Sequence, residues 1–156
     1  MQNVIFHLVL TNQCNKRCEY CDLNFSNNYI SENNIEAFIY YINKNFHKYW
    51  EIRINFFWWE PLLKFDSILK ILNDIQAVNI KYSIWTNGVL LTQDIYKILN
   101  IHNVEINYSI DTETYSSLLE QKYIDVTNDN FNINFIVNPN TIDVSQAVFQ
   151  SMLDRG

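Results

Sequence analysis

Short runs of β-branched and aromatic residues alternate with amphipathic helical patterns along the chain. Strands are predicted at Val4–Leu10, Ile52–Phe57, Ile80–Trp85, Val104–Ile110 and Asn132–Val137. A helix is predicted after each, at Glu32–Phe46, Phe65–Ala77, Gln93–Leu99, Thr112–Glu120 and Val144–Leu153. The N-cap candidates that precede or open these helices are Ser31, Asp66, Thr92, Asp111 and Asp143. This order predicts an α/β fold with parallel strands and right-handed crossovers.

Five β/α units are too few for a closed eight-stranded barrel. A doubly wound open sheet and a partial, curved barrel both fit the pattern, and the pattern does not choose between them. In either case the carboxyl ends of the strands, with the loops that follow them, are the expected active-site face.

The composition of the chain excludes several classes of protein. Its 156 residues amount to one domain or part of one, and the 48% hydrophobic content excludes a disordered chain. The first apolar run lacks a basic segment before it, and no run is long enough to span a membrane, so we expect a soluble, unexported, cytoplasmic protein. The net charge of -6 without clusters of Lys or Arg makes nucleic acid an unlikely partner.

All three cysteines lie in one loop after the first predicted strand, at Cys14, Cys18 and Cys21. An odd number of thiols so close together argues against a disulfide framework. Thiolates are soft ligands that suit an iron-sulfur cluster or zinc. The alternatives to a cluster are a structural zinc site with His7 as fourth ligand, or three reduced structural cysteines. His7 lies within the first predicted strand, too far from the loop unless the chain folds back.

The cysteine loop resembles the signature of radical S-adenosylmethionine (radical SAM) enzymes, in which an aromatic residue precedes the third cysteine. Three downstream motifs, each at a predicted strand end, strengthen the resemblance: Phe56 to Leu63, Thr86-Asn87-Gly88 and Ser109-Ile110-Asp111. Among the family's subgroups, these motifs are most similar to those of peptide and protein maturases, including the anaerobic sulfatase-maturing enzymes.

The resemblance implies a partial (β/α)6-type barrel, of which residues 1–156 supply about five units as one incomplete core domain. A sixth unit is not recognisable. No cysteine follows Cys21, so the chain would hold a single [4Fe-4S] cluster and no auxiliary clusters.

The resemblance also implies a mechanism. Cys14, Cys18 and Cys21 would ligate three irons, and S-adenosylmethionine would chelate the fourth. Reductive cleavage of S-adenosylmethionine would give a 5′-deoxyadenosyl radical that abstracts hydrogen from a substrate, here expected to be a peptide or protein. A ferredoxin- or flavodoxin-like protein would supply the electron.

Five further residues are expected at the cofactor by resemblance. Tyr20 would lie beside the adenine, Glu60 would help to fix the methionyl group and Asn87 would line the pocket. Ser109 and Asp111 would hydrogen-bond the ribose or the carboxylate. Each has a simpler interpretation.

Glu60 and Asp111 could be carboxylates at helix starts. Ser109 could occupy the other face of a strand, and Asn87-Gly88 could be an ordinary turn. Asn138 and Asn140, around Pro139, could likewise contact the cofactor or form a turn.

Trp58 and Trp59 stand where the family pattern has two glycines. Glycine there allows close backbone approach to a ligand and φ angles that other residues avoid. The two indoles could swing away, cover the cluster as an apolar wall or substrate platform, block the methionyl site, or belong to the core. The substitution therefore leaves a second hypothesis open: a degenerate module that keeps the cluster and binds a peptide or partner without catalysis.

Overall fold

The structure, a computed structural model, describes residues 1–111, 118, 121–125, 127–135 and 150. Its centre is a five-stranded sheet in which each strand pairs in parallel with the next along the chain. The strands are β1 (Gln2–Leu8), β2 (Tyr49–Phe56), β3 (Ile80–Thr86), β4 (Val104–Ile110) and β5 (Phe131–Phe135). This order has no reversal point of the kind a doubly wound sheet requires. The predicted α/β fold with a partial barrel is confirmed.

Three helices are described, α1 (Glu32–Asn45), α2 (Phe65–Asp74) and α3 (Gln93–Ile101). Short 3-10 turns at Phe46–Lys48 and Pro61–Lys64 precede β2 and α2. Within the fourth and fifth predicted helices the structure describes only Leu118 and Gln150, both helical. Asn138, Pro139, Asn140 and Asp143 lie outside the described residues. No helix in the described ranges is both long and apolar enough to cross a membrane.

Side-chain caps start the helices largely as predicted. The hydroxyl of Ser31 accepts a hydrogen bond from the N–H of Asn34 at 3.3 Å, and that of Thr92 accepts one from Ile95 at 3.3 Å. The predicted cap Asp66 is wrong, because it lies within the first turn of α2. The 3-10 turn at Pro61–Lys64 runs directly into this helix, so the capping side chain is that of Glu60.

The two faces of the sheet differ sharply. The face toward the helices is apolar and buried, as at Ile54, Ile84 and Ile106, and full burial of each such side chain contributes roughly 1.5–3 kcal/mol. Side chains alternate along a strand, so the intervening residues point to the opposite, inner face. We define the inner face by its mostly polar residues Arg53, Asn55, Ser83, Trp85, Asn107 and Ser109.

Candidate functional site

The cysteine loop connects β1 to α1 and is closed at its base by backbone hydrogen bonds. The N–H of Ile30 donates to the carbonyl of Leu10 at 2.9 Å, and that of Asn12 donates to Asn28 at 2.9 Å. β1 therefore ends at Leu8, two residues earlier than predicted, because Leu10 pairs with the returning end of the loop instead of β2. The loop carries all three cysteines as free, partly buried thiols.

All three thiols line one pocket of about 320 Å³ at the carboxyl end of the sheet. Tyr20, Asn87 and Ser109, three residues expected at the cofactor, line the same pocket. Glu60 and Asp111 are not among its lining residues. The structure thus brings together side chains that lie as much as 95 residues apart in sequence, at the edge where parallel strands place their active sites.

Cys14 is held by polar neighbours on two sides. Its sulfur accepts hydrogen bonds from the N–H of Lys16 at 3.4 Å and from the side-chain amide of Asn87 at 3.5 Å. Burial raises the pKa of the Cys14 thiol, while these two hydrogen bonds act in the opposite direction.

His7 does not join the cysteines. It is exposed on β1, its Nδ1 lies 3.5 Å from the side-chain amide of Asn55, and its ring packs 5.7 Å from that of Phe57. In the described part of the chain, no three His, Cys, Asp or Glu side chains are already arranged to hold a metal. His7 thus contacts Asn55 and Phe57 and is not among the residues that line the cysteine pocket.

Glu60 is fully buried and serves as a brace between two strand ends. Its Oε1 accepts hydrogen bonds from the N–H of Leu62 at 3.0 Å and the hydroxyl of Thr86 at 2.9 Å, and its Oε2 accepts one from the N–H of Asn87 at 2.9 Å. Burial raises the pKa of this carboxyl despite those donors. Glu60 thus caps the 3-10 turn that begins at Pro61, which agrees with its interpretation as a carboxylate at a helix start. Contact between Glu60 and the cofactor stays a prediction.

Gly88 gives Asn87 its position. It has a φ of 75°, a conformation that glycine adopts without strain. A Cβ built on Gly88 would lie 1.9 Å from Cζ of the fully buried Tyr108. The side-chain amide of Asn87 is thereby directed to the cysteine loop, where it also donates to Oδ1 of Asn15 at 2.8 Å.

A polar cluster that sequence reasoning missed ties the cysteine loop to the end of β4. The ammonium of Lys16 lies 3.0 Å from Oδ2 of Asp111, with side chains only 16% and 10% exposed. The hydroxyl of Tyr20 donates to the same oxygen at 3.0 Å, and burial, with Cys18 and Asp111 nearby, raises the pKa of this hydroxyl. Asp111 therefore braces the loop. The predicted contacts of Asp111 with the ribose or carboxylate and of Tyr20 with the adenine remain predictions.

We expect Lys16→Met to loosen the cysteine loop. The change removes the ion pair between Lys16 and the largely buried Asp111, which we expect to lower the free energy of unfolding by about 1–2 kcal/mol. Urea unfolding and protease cleavage of the loop both measure this. Lys97→Met is the matched control, because it makes the same change at an exposed position on α3, away from the cysteine loop. Equal effects of the two changes would show that the Lys16–Asp111 pair does not brace the loop.

Trp58 and Trp59 keep a glycine-like backbone, with φ angles of 70° and 45°. Sequence reasoning expected two indoles to remove this freedom. Instead the flanking contacts hold the strained conformation: the N–H of Glu60 donates to the carbonyl of Gln13 at 3.1 Å, and the Trp59 indole N–H donates to that of Asn24 at 3.1 Å. Left-handed backbone costs about 1–3 kcal/mol at each non-glycine residue. Both indoles line the cysteine pocket and neither is buried, so they do not belong to the core.

The chain is similar to one protein family and to several known sequences. Residues 8–140 match the family described as the Radical SAM superfamily. The radical SAM cyclopropyl synthase TigE of Paramaledivibacter caminithermalis is 32% identical over 131 residues, covering 70% of this chain and 27% of that protein. The S-adenosylmethionine-dependent nucleotide dehydratase of Pseudoalteromonas ulvae is 25% identical over 135 residues, covering 74% and 42% respectively. The chain thus spans less than half the length of these relatives.

Solved structures share the fold. Native anSMEcpe, an anaerobic sulfatase-maturing enzyme, with bound AdoMet and Cp18Cys peptide, aligns with a TM-score of 0.70 and 18% identity, covering 99% of this chain and 48% of that one. BtrN in complex with AdoMet and 2-DOIA aligns with a TM-score of 0.60 and 15% identity, covering 90% and 58%. The match over residues 8–140 agrees with three thiols gathered at the carboxyl end of a partial barrel, and the chain belongs to the radical SAM superfamily.

Proposed function

We propose that this chain binds one [4Fe-4S] cluster through Cys14, Cys18 and Cys21 and cleaves S-adenosylmethionine reductively to abstract hydrogen from a substrate. The observation that carries the proposal is the convergence of three free thiols on one pocket at the carboxyl end of the sheet. Thiolates are suitable ligands for such a cluster, and three of them leave one iron open to a small molecule.

The donor set fits the cluster, because three thiolates from one loop are suitable ligands for it, and Tyr20, Asn87 and Ser109, which are expected at the cofactor, line the same pocket. When bound, the cluster and S-adenosylmethionine supply one-electron cleavage of the sulfonium and hydrogen abstraction. The chain supplies position: Glu60 holds the backbone of Asn87, and Asn87 holds the loop at Cys14. Trp58 and Trp59 cover part of the pocket with apolar surface, which reduces access of water to the reacting groups.

The substrate we propose is a peptide or protein. The solved relative with a bound peptide supports this choice, as do the maturase-like motifs. A ferredoxin- or flavodoxin-like protein is the proposed electron donor, and a reducing cytoplasm is the proposed location because an open cluster needs protection from oxygen. The net charge of -6 supports neither RNA nor DNA as a substrate.

A second candidate is a degenerate module that binds the cluster and a peptide without cleaving S-adenosylmethionine. The observation that favours it is the pair Trp58 and Trp59 in the wall of the pocket, where the family pattern has glycines. The two candidates differ in whether S-adenosylmethionine reaches the cluster.

The spectrum of the reduced cluster distinguishes these candidates. We would reconstitute the chain anaerobically with iron and sulfide, reduce it with dithionite and record its electron paramagnetic resonance with and without S-adenosylmethionine. Direct binding to the open iron would change the spectrum, as the enzyme proposal expects. An unchanged spectrum at saturating S-adenosylmethionine would favour the degenerate module, and a colourless protein without sulfide would exclude both.

A further inference from the structure

β1 forms one edge of the sheet. It is the first of the five strands in the sheet order and pairs with β2, in regular register from Val4 to Leu8. Within the described residues no segment pairs with the other side of this stretch, which we call the free edge. β1 contains no proline and no Lys, Arg, Asp or Glu, residues that commonly keep an edge strand from pairing with another chain. The free edge can therefore accept a further strand.

The backbone groups that face the free edge follow from the pairing with β2. The N–H of Phe57 donates to the carbonyl of Leu8 at 3.3 Å, so the backbone groups of Leu8 face β2. Backbone groups of successive residues in a strand point alternately to its two sides. The N–H and C=O groups of Ile5 and His7 therefore face away from β2, with the spacing at which a strand hydrogen-bonds to its neighbour.

Apolar surface flanks the free edge on both faces of the sheet. Ile5 is the register partner of Arg53 on the inner face, and its side chain is 55% exposed. On the helix face, Tyr41 of α1 packs edge-to-face on Phe6 at 6.2 Å and is itself 44% exposed. Side chains of an added strand would alternate between these two surfaces and cover them. An extended peptide with apolar or β-branched side chains fits this edge.

Two cations without acidic partners lie near the start of β1. Lys48 directly precedes Tyr49, the register partner of Gln2. Lys44 lies in the last turn of α1, with its ammonium 5.5 Å from the ring centre of Tyr40. Neither lysine forms an ion pair within the described part of the chain. A second copy of β1 would bring no charge to these lysines, whereas a peptide with Asp or Glu would complement them.

The free edge also leads toward the cysteine pocket. His7 lies one residue before the carboxyl end of β1, and its ring packs 5.7 Å from that of Phe57. Phe57 lines the pocket. A peptide held along β1 therefore comes within one side chain of the pocket where it continues past the carboxyl end of the strand.

We propose that an extended peptide adds to the free edge of β1 as a further strand, with an acidic residue near Lys44 and Lys48, and continues into the cysteine pocket. The inference rests on the proposed function, because it gives the proposed peptide substrate a docking surface apart from the residue that reacts. In this mode of recognition backbone hydrogen bonds supply affinity, and the flanking side chains supply preference.

Amide hydrogen exchange tests the proposal residue by residue. The probe is acetyl-Glu-Thr-Val-Thr-Val-Thr-Glu-amide, added to the full 156-residue, ¹⁵N-labelled chain without its cluster. In the free chain we expect the N–H groups of Ile5 and His7 to exchange rapidly, and that of Phe6, which faces β2, to exchange slowly. The probe should slow exchange at Ile5 and His7 at least about tenfold and leave Phe6 unchanged.

Variants of β1 then separate backbone pairing from other binding. Ile5→Pro should weaken the probe at least about fivefold, because proline removes the outward N–H and leaves the hydrogen bonds to β2 in place. Ile5→Val is the matched control, since it keeps both the N–H and a β-branched side chain, and should bind like the original chain. Slow exchange at Phe6 in the proline variant shows that β1 still pairs with β2.

The acidic preference has its own test. Lys48→Met should weaken the probe and should not weaken a version in which glutamine replaces both glutamates. Equal or tighter binding of a version with lysine at both ends would overturn this part of the proposal.

Three results would overturn the docking surface itself, and they need no variant to fold. The first is unchanged exchange at Ile5 and His7 at the highest probe concentration. The second is slow exchange at both residues before the probe is added, which would mean that another segment of the chain covers the edge. The third is protection that grows with the concentration of the chain alone, which would identify a second copy as the occupant.

The result is separable from the proposed function. Protection of Ile5 and His7 by the probe without cleavage of S-adenosylmethionine would contradict the enzyme and leave the docking surface standing. Cleavage of S-adenosylmethionine without protection of these residues would contradict the docking surface alone.

Discussion

We expect replacement of Cys14, Cys18 or Cys21 with alanine to abolish cluster assembly and cleavage of S-adenosylmethionine. No other cysteine exists in the chain to substitute for a lost thiolate. Two remaining thiolates do not retain a cluster that needs three protein ligands. Iron and sulfide analysis of each reconstituted variant, together with its visible absorption, measures the effect.

The matched control for the cysteine variants is Glu19→Ala. Glu19 is exposed and lies between Cys18 and Cys21, so its removal changes the loop without removing a thiol. We expect this control to assemble a cluster as the original chain does. Full iron and sulfide content in any single cysteine variant would show that the ligand assignment is wrong.

We expect Glu60→Gln to lower the free energy of unfolding by about 2–3 kcal/mol. Both carboxylate oxygens accept from buried or partly buried donors, those of Leu62, Thr86 and Asn87. A glutamine amide keeps one oxygen, but its nitrogen is itself a donor and must face the N–H of Asn87 or another donor. The loss therefore includes an unsatisfied buried group as well as a missing hydrogen bond.

Urea unfolding of the metal-free chain measures this loss. Glu36→Gln is the control, because the Glu36 side chain is 62% exposed and its ion pair with Lys70 is long, at 3.7 Å. Substitutions at exposed positions of this kind usually change the free energy of unfolding by less than about 0.5 kcal/mol. If Glu60→Gln lowers the free energy of unfolding as little as Glu36→Gln does, the hydrogen bonds of Glu60 across the two strand ends are not what holds Asn87 in place.

Sequence reasoning succeeded where a feature depends on neighbouring residues. β4 was predicted at its observed bounds, and Ser31 and Thr92 cap their helices as expected. The cysteine loop was also located correctly, because spacing alone places three thiols together after a strand.

Features that depend on contacts between residues far apart in sequence could not be predicted from local sequence patterns. The Lys16–Asp111 pair joins residues 95 positions apart, so no local pattern could reveal it. The strand order that excludes a doubly wound sheet is likewise a long-range property.

The backbone of Trp58 and Trp59 was not predictable either. Indoles disfavour positive φ, and only the contacts around Gln13, Asn24 and Glu60 hold them there. Asp66 was mistaken for a cap because the 3-10 turn before α2 is invisible in the helical periodicity.

The formation of 5′-deoxyadenosine tests the central claim most directly. The chain is reconstituted with iron and sulfide under strict anaerobiosis, then supplied with S-adenosylmethionine and dithionite, with Cys18→Ala treated identically. We predict 5′-deoxyadenosine from the original chain and none above background from the variant. A brown, cluster-containing protein that forms no 5′-deoxyadenosine would contradict the enzyme and favour a module that binds without catalysis.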